Sequence, residues 1–139
     1  MSLSFQVSFD ADDPPALAGF WAVALGYVLQ PPPDGFDSWP AFIESVGLPV
    51  DEVDNYSALV DPDGSGPRLF FQKVPEGKQA KNRVHLDVNV GAPDHDWARV
   101  SSHAEKLREA GGTVVEERTD EMSRWIVMLD PEGNEFCVQ

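Results

Sequence analysis

The sequence predicts an α+β fold of two βαβββ modules paired in one domain. Three observations predict it. The turn Asp61-Pro-Asp-Gly64 recurs 69 residues later as Asp130-Pro-Glu-Gly133. The strand-like stretches before the two turns, Tyr56–Val60 and Trp125–Leu129, recur at the same offset. Two helix-like segments stop at matching points, Leu25-Gly26 and Ala110-Gly111. One helix cannot cover both faces of a four-stranded sheet, so two such units belong in one domain.

Each element has its own signal. Leu3 to Asp10 alternates, with Leu3, Phe5, Val7 and Phe9 on one side and Ser4, Gln6, Ser8 and Asp10 on the other, as a half-buried strand does. A helix follows, capped by Asp12 or Asp13, with Pro14 and Pro15 in its first turn. It carries Leu17, Phe20, Trp21 and Ala24 on one stripe and ends at Gly26. Tyr27–Leu29 starts a strand that Pro31-Pro-Pro33 cuts off. Residues 30–55 read as a long loop with a short helix near Trp39 to Val46, and insertions of this length are usually functional or mobile. Strands resume at Tyr56–Val60 and Leu69–Val74. The polar link 75–81 separates module one (3–75) from module two (82–139).

The second module repeats the order. Arg83–Val90 alternates, with Val84, Leu86, Val88 and Val90 facing one way and His85, Asp87 and Asn89 the other. A helix capped near Asp94 or Asp96 turns Trp97, Val100, Ala104 and Leu107 inward. Strands are then expected at Thr113–Glu117, Trp125–Leu129 and Glu135–Val138.

Composition narrows the function classes. Apolar residues at 42% and charged residues at 24% argue against a disordered chain. A lone cysteine, Cys137, leaves no internal disulfide framework and no all-cysteine metal site. No apolar run approaches the ~18 residues of a membrane span, and the start lacks a signal-peptide pattern, so a cytoplasmic protein is expected. Ten Lys and Arg against 24 Asp and Glu give a formal charge of −14, and residues 1–67 hold no base at all. Nucleic acid and anionic membranes are therefore not expected partners. A small-molecule ligand is, and a homodimer is compatible with the sequence.

At this point the chain resembles the glyoxalase-like domains of the vicinal oxygen chelate superfamily. The residues carrying the likeness are Phe20-Trp21…Leu25-Gly26, Lys81-Asn-Arg-Val-His-Leu-Asp87 and Asp130-Pro-Glu-Gly-Asn-Glu-Phe-Cys-Val138. The resemblance implies that the curved sheets of the two modules share a cleft with the helices outside, and that a metal site there is fed by the first and last strand of each module. Its four positions here are Gln6, Gln72, His85 and Cys137. Gln72 and Cys137 replace expected carboxylates, and Cys137 stands where metal-binding relatives carry a glutamate. The resemblance's isomerisation chemistry needs a metal and a proton-moving carboxylate. Two amides, a His and a Cys suit only a softer ion such as zinc or copper, so no cofactor and no bound metal are expected at these positions.

Other residues are weighed against bland alternatives. His85 and Cys137 line a pocket or form a nucleophile–base pair, for which no oxyanion donor is visible. His95 and His103 read as solvated, and Trp21 and Trp97 as packing. Trp39 and Phe42, with Trp125, offer aromatic surface to a flat ligand, the first two as a lid or as simple packing. Arg68, Phe70 and Gln72 share a strand face, and Arg83 leads into the His85 strand. The two arginines either select an anionic ligand or pair with acids such as Asp63 and Asp87. The function expected is therefore binding of a small organic ligand, anionic or aromatic, without the usual metal site. A metal-dependent lyase, isomerase or dioxygenase with an atypical Gln/Gln/His/Cys site, and an interaction module, are the alternatives.

Overall fold

The computed structural model describes residues 1–139. It divides into two compact units, Met1–Ala22 with Gly26–Pro75, and Val23–Leu25 with Glu76–Gln139. Each holds an open four-stranded sheet.

In unit one, β1 (Gln6–Ala11), β2 (Val28–Leu29), β3 (Tyr56–Val60) and β4 (Arg68–Lys73) lie in the order β1-β4-β3-β2. The β1–β4 pair is parallel and the others are antiparallel. Helix α1 (Pro14–Leu25) begins where Asp13 accepts the Ala16 N–H at 3.2 Å and ends at Gly26, whose φ of 68° is the left-handed stop expected of glycine. Leu17, Phe20, Trp21 and Ala24 are buried, as their spacing predicts. Trp21 lies 5.2 Å from Phe9, which stacks on Phe71 at 4.9 Å, so helix and sheet share one aromatic cluster. The 30–55 stretch is more ordered than a loop. Ser38 caps a helix α2 (Trp39–Ser45), and a 3₁₀ turn spans Val50–Asn55.

Unit two repeats the plan with β5 (Asp87–Val88), β6 (Thr113–Thr119), β7 (Arg124–Leu129) and β8 (Glu135–Val138) in the order β5-β8-β7-β6. Again the first pair is parallel. Helix α3 (Trp97–Glu109), capped by Asp96, packs over β6, β7 and β8 and buries Val100, Ala104 and Leu107. Trp97 is only half-buried, and the Arg124 guanidinium lies over its ring at 3.6 Å.

The structure corrects three expectations. Leu3 and Phe5 are 89% and 70% exposed, because β1 pairs only from Gln6, where its partner β4 begins at Arg68. Val84 is 84% exposed and β5 is two residues long. There the Glu135 carboxylate accepts the Asn82 N–H at 2.9 Å, so this stretch is held by a side chain and not by a ladder. His103 is not a solvated surface residue. It is half-buried, with Nε2 2.9 Å from the Ala24 carbonyl, to which the ring N–H donates.

Both Asp-Pro turns are tied by their aspartates. Asp61 accepts backbone N–H groups of Asp63, Ser65 and Gly66, which hold its carboxyl below the usual range. Asp130 accepts those of Glu132 and Asn134, and the Asn134 amide as well. This is the side-chain turn that Asp favours. No helix is long and apolar enough to cross a membrane.

Candidate functional site

Strand periodicity turns alternate residues of each sheet away from the packed face. In unit one this open face carries Gln6, Ser8 and Asp10 from β1 and Arg68, Phe70 and Gln72 from β4. Their rungs pair Gln6 with Arg68, Ser8 with Phe70, and Asp10 with Gln72. Gln6 and Gln72 thus lie four residues apart along the ladder. The Gln72 amide donates to Asp10 at 2.9 Å. Arg68 pairs with no acid. It donates to the amide oxygens of Gln30 at 2.7 Å and Gln6 at 3.0 Å, and lies over the Phe70 ring at 5.2 Å. Phe70 in turn stacks on Tyr56.

In unit two the corresponding face carries His85, Asp87, Trp125, Val127, Glu135 and Cys137. Asp87 and Cys137 are direct partners in the parallel ladder, and Cys137 also opposes Val127. His85 Nδ1 sits 3.2 Å from Asp87 Oδ1. The ligating atoms of His85, Asp87 and Cys137 all fall within 4.8 Å of one another. Burial pushes the Cys137 thiol up, and the Asp87 charge beside it adds to this against a weaker opposing pull from Arg118 and Lys81. A protonated thiol is a poor nucleophile, so the face lacks the activated cysteine that a Cys–His pair needs. These residues border a cavity of about 390 Å³, together with Lys81, Arg118, Asp120 and Ser123.

The two ladders fix which positions are equivalent. Counting two residues on from Gln6 reaches the Ser8–Phe70 rung, and two on from His85 reaches Asp87–Cys137. Phe70, not Gln72, therefore occupies the rung that matches Cys137. The cause is local. β4 begins seven residues after Asp61, whereas β8 begins five after Asp130, so the first turn is two residues longer.

The four positions that the resemblance assigns to a metal do not fit one in this chain. The Gln6 carbonyl oxygen is engaged by the Arg68 guanidinium, whose charge repels a cation at that donor. Gln72 lies on another rung and spends its amide on Asp10.

Of the remaining candidates, His85, Cys137 and Trp125 meet at one cavity of unit two. Gln6 and Arg68 border a separate opening of unit one with Leu3 and Phe5. Arg83 is exposed and borders neither. Trp39 and Phe42 pack on each other at 5.9 Å and with Phe36, and the Trp39 indole donates to the Gln30 carbonyl at 2.8 Å. That is packing within the insertion, and neither residue lines the opening of unit one. Asp87 and Arg118 were not among the sequence candidates. The alternation of His85, Asp87 and Asn89 already put Asp87 on the right face.

Glu135 closes one side of the cavity. The Asn82 N–H, chiefly, and Lys78 at 3.1 Å hold its carboxyl down to about 2 from an ordinary 4.5. Because the folded value is the lower one, its stabilising effect is complete above pH 4.5 and fades as the pH falls toward 2. The stability gap between the parent and Glu135→Gln is expected to narrow across that window in acid-denaturation curves. A gap independent of pH would contradict the assignment.

With the geometry in place, comparison with known proteins decides the family. The family model for the glyoxalase-like domain matches residues 6–139. The chain belongs to the glyoxalase-like domain family. Solved structures share the fold of this glyoxalase-like domain at low identity. A possible glyoxalase from Bacillus cereus has 14% identity and a TM-score of 0.64, over 100% of this chain and 99% of that one. A fosfomycin resistance protein variant from Listeria monocytogenes, in complex with manganese(II) and a dihydroxypropylphosphonic acid, has 11% identity and a TM-score of 0.66, covering 100% and 90%. The bleomycin-binding protein of Streptomyces verticillus, in complex with copper(II)-bleomycin, has 17% identity and a TM-score of 0.55, covering 100% and 96%. No curated protein matches the chain.

Proposed function

We propose that this glyoxalase-like domain binds a small organic ligand of aromatic and acidic character on the open face of its second sheet, without the four-position metal site of its relatives. The observation that carries the reading is the cavity of about 390 Å³, where Trp125 and Val127 provide apolar surface beside Lys81 and Arg118. Its size falls within the range of small-molecule sites, and a few polar groups around an aromatic floor are what such sites use.

The charges around the cavity divide into spent and available. Asp120 accepts the Met122 and Ser123 N–H groups at 2.7 and 2.8 Å, and Glu135 is held by Asn82 and Lys78. Lys81 has no carboxylate partner, and the Arg118–Glu116 pair is exposed and therefore weak enough to be exchanged for a ligand. The anion-selecting role considered for Arg68 and Arg83 passes to Lys81 and Arg118 in this reading.

A thermal-shift series tests it, using benzoate, phenylacetate and 4-hydroxybenzoate against their neutral amides. A ligand at a hundred times its Kd stabilises by about 2.7 kcal/mol, a shift of several degrees. The acids are expected to raise the midpoint more than the amides, and Arg118→Gln to erase the difference. Equal shifts for acids and amides would remove the acidic ligand from the reading. Shifts that survive Trp125→Ala unchanged would remove the site.

A further inference from the structure

We propose that the 30–55 insertion is a docking surface for a basic segment of another protein, one that carries Lys or Arg around apolar anchors. It does not depend on the organic-ligand reading of unit two.

The insertion presents apolar side chains that its own folding does not use. Val46, Leu48 and Val50 are 51%, 56% and 38% exposed. Neither α2 nor the 3₁₀ turn after it has a buried residue. Phe36, Trp39 and Phe42 pack on one another, and the whole stretch from Glu44 to Glu52 is left exposed. Isolated exposed aliphatics are ordinary on a protein surface, whereas a compact group on a fixed frame marks a contact site.

The frame is fixed by its own bonds. The Ser45 hydroxyl donates to the Phe42 carbonyl at 2.6 Å, the Gly47 N–H to Glu44 at 3.0 Å and the Leu48 N–H to Ile43 at 3.1 Å. Gly47 takes a φ of 77°, the left-handed stop that carries Leu48 past the helix end. A surface held this way loses little further freedom when a partner docks.

Charge selects the occupant. Glu44, Asp51 and Glu52 flank the apolar group and enter no ion pair of the chain. Residues 1–67 hold no base that could neutralise them locally. A second copy brings the same charge of −14 to the contact, and an anionic membrane is repelled as well. A segment with Lys or Arg beside aliphatic anchors meets carboxylates and apolar surface together, so neither side is left with an unpaired charge in the contact.

Fluorescence anisotropy on the full chain tests it, with a fluorescein-labelled synthetic peptide of leucine and lysine in amphipathic helical order as the probe. Saturable binding is expected, at least about tenfold tighter than that of the same peptide with glutamate in place of lysine. Leu48→Ser should weaken it at least about tenfold, and Asp51→Asn with Glu52→Gln should weaken it several-fold and flatten its salt dependence. Glu76→Gln with Glu121→Gln removes the same charge from exposed positions of unit two and should leave binding unchanged. Leu48→Ser should melt near the parent because Leu48 is exposed, which separates a lost contact from a lost fold. Absence of saturable binding would overturn the proposal, as would binding that Leu48→Ser leaves intact. An equal loss in the Glu76 and Glu121 variant would reduce the attraction to overall charge and overturn it too. Dimerisation of the chain alone in sedimentation velocity, abolished by Leu48→Ser, would give the surface to a second copy instead.

Discussion

Replacing Trp21 by alanine should destabilise the protein by about 3–5 kcal/mol. Trp21 is 1% exposed, edge-on to Phe20 at 5.8 Å and tilted against Phe9 at 5.2 Å, with Phe71 stacked behind Phe9. Truncation removes the largest fully buried side chain and leaves a void between rigid rings, which relax poorly into it. Domains of this size have only about 5–15 kcal/mol in hand, so the variant should be partly unfolded on mild warming. In urea the midpoint should fall by about 2 M with an unchanged slope. A fall of a few tenths of a molar would mean that this cluster is not the centre of unit one. Trp21→Phe should recover part of the loss, since it keeps a ring in the cluster.

Asp130→Ala should cost about 3 kcal/mol, an effect that volume alone does not explain. Asp130 is 3% exposed and its carboxylate accepts the Glu132 and Asn134 N–H groups at 2.9 and 3.0 Å and the Asn134 amide at 2.8 Å. Alanine leaves those donors without this acceptor in a partly buried turn, and they fix where β8 begins. Asp61→Ala in the equivalent turn should be milder, because that carboxylate is more open to solvent. Chemical denaturation of the two variants side by side checks the order. Asp61→Ala as damaging as Asp130→Ala would contradict it.

Much of the fold is legible in the sequence because its signals are local. The Asp-Pro-x-Gly turns, the helix caps at Asp13 and Asp96 and the stop at Gly26 each act through backbone groups a few residues away. What was not legible depends on the partner strand. Alternation at Leu3, Phe5 and Val84 reads like a ladder, but pairing starts only at the Gln6–Arg68 and Asp87–Cys137 rungs, and these residues are left exposed. Gln72 was assigned through the resemblance as the counterpart of Cys137, whereas the ladders put Phe70 on that rung, because the turn before β4 is two residues longer than the turn before β8. His85 and Cys137 were found through the resemblance. Asp87 was missed because a resemblance names only positions its family uses, although its neighbours on the face were already in view.

A ligand is expected to touch the chain on the β7–β8 face. An amide NMR titration with benzoate is the measurement. Saturable shifts should concentrate at Arg118, Trp125, Val127, Cys137 and Gln139, with α2 and its Trp39–Phe42 pair unmoved. Shifts concentrated in α2 or around Gln6 and Arg68, with the β7–β8 face silent, would contradict it.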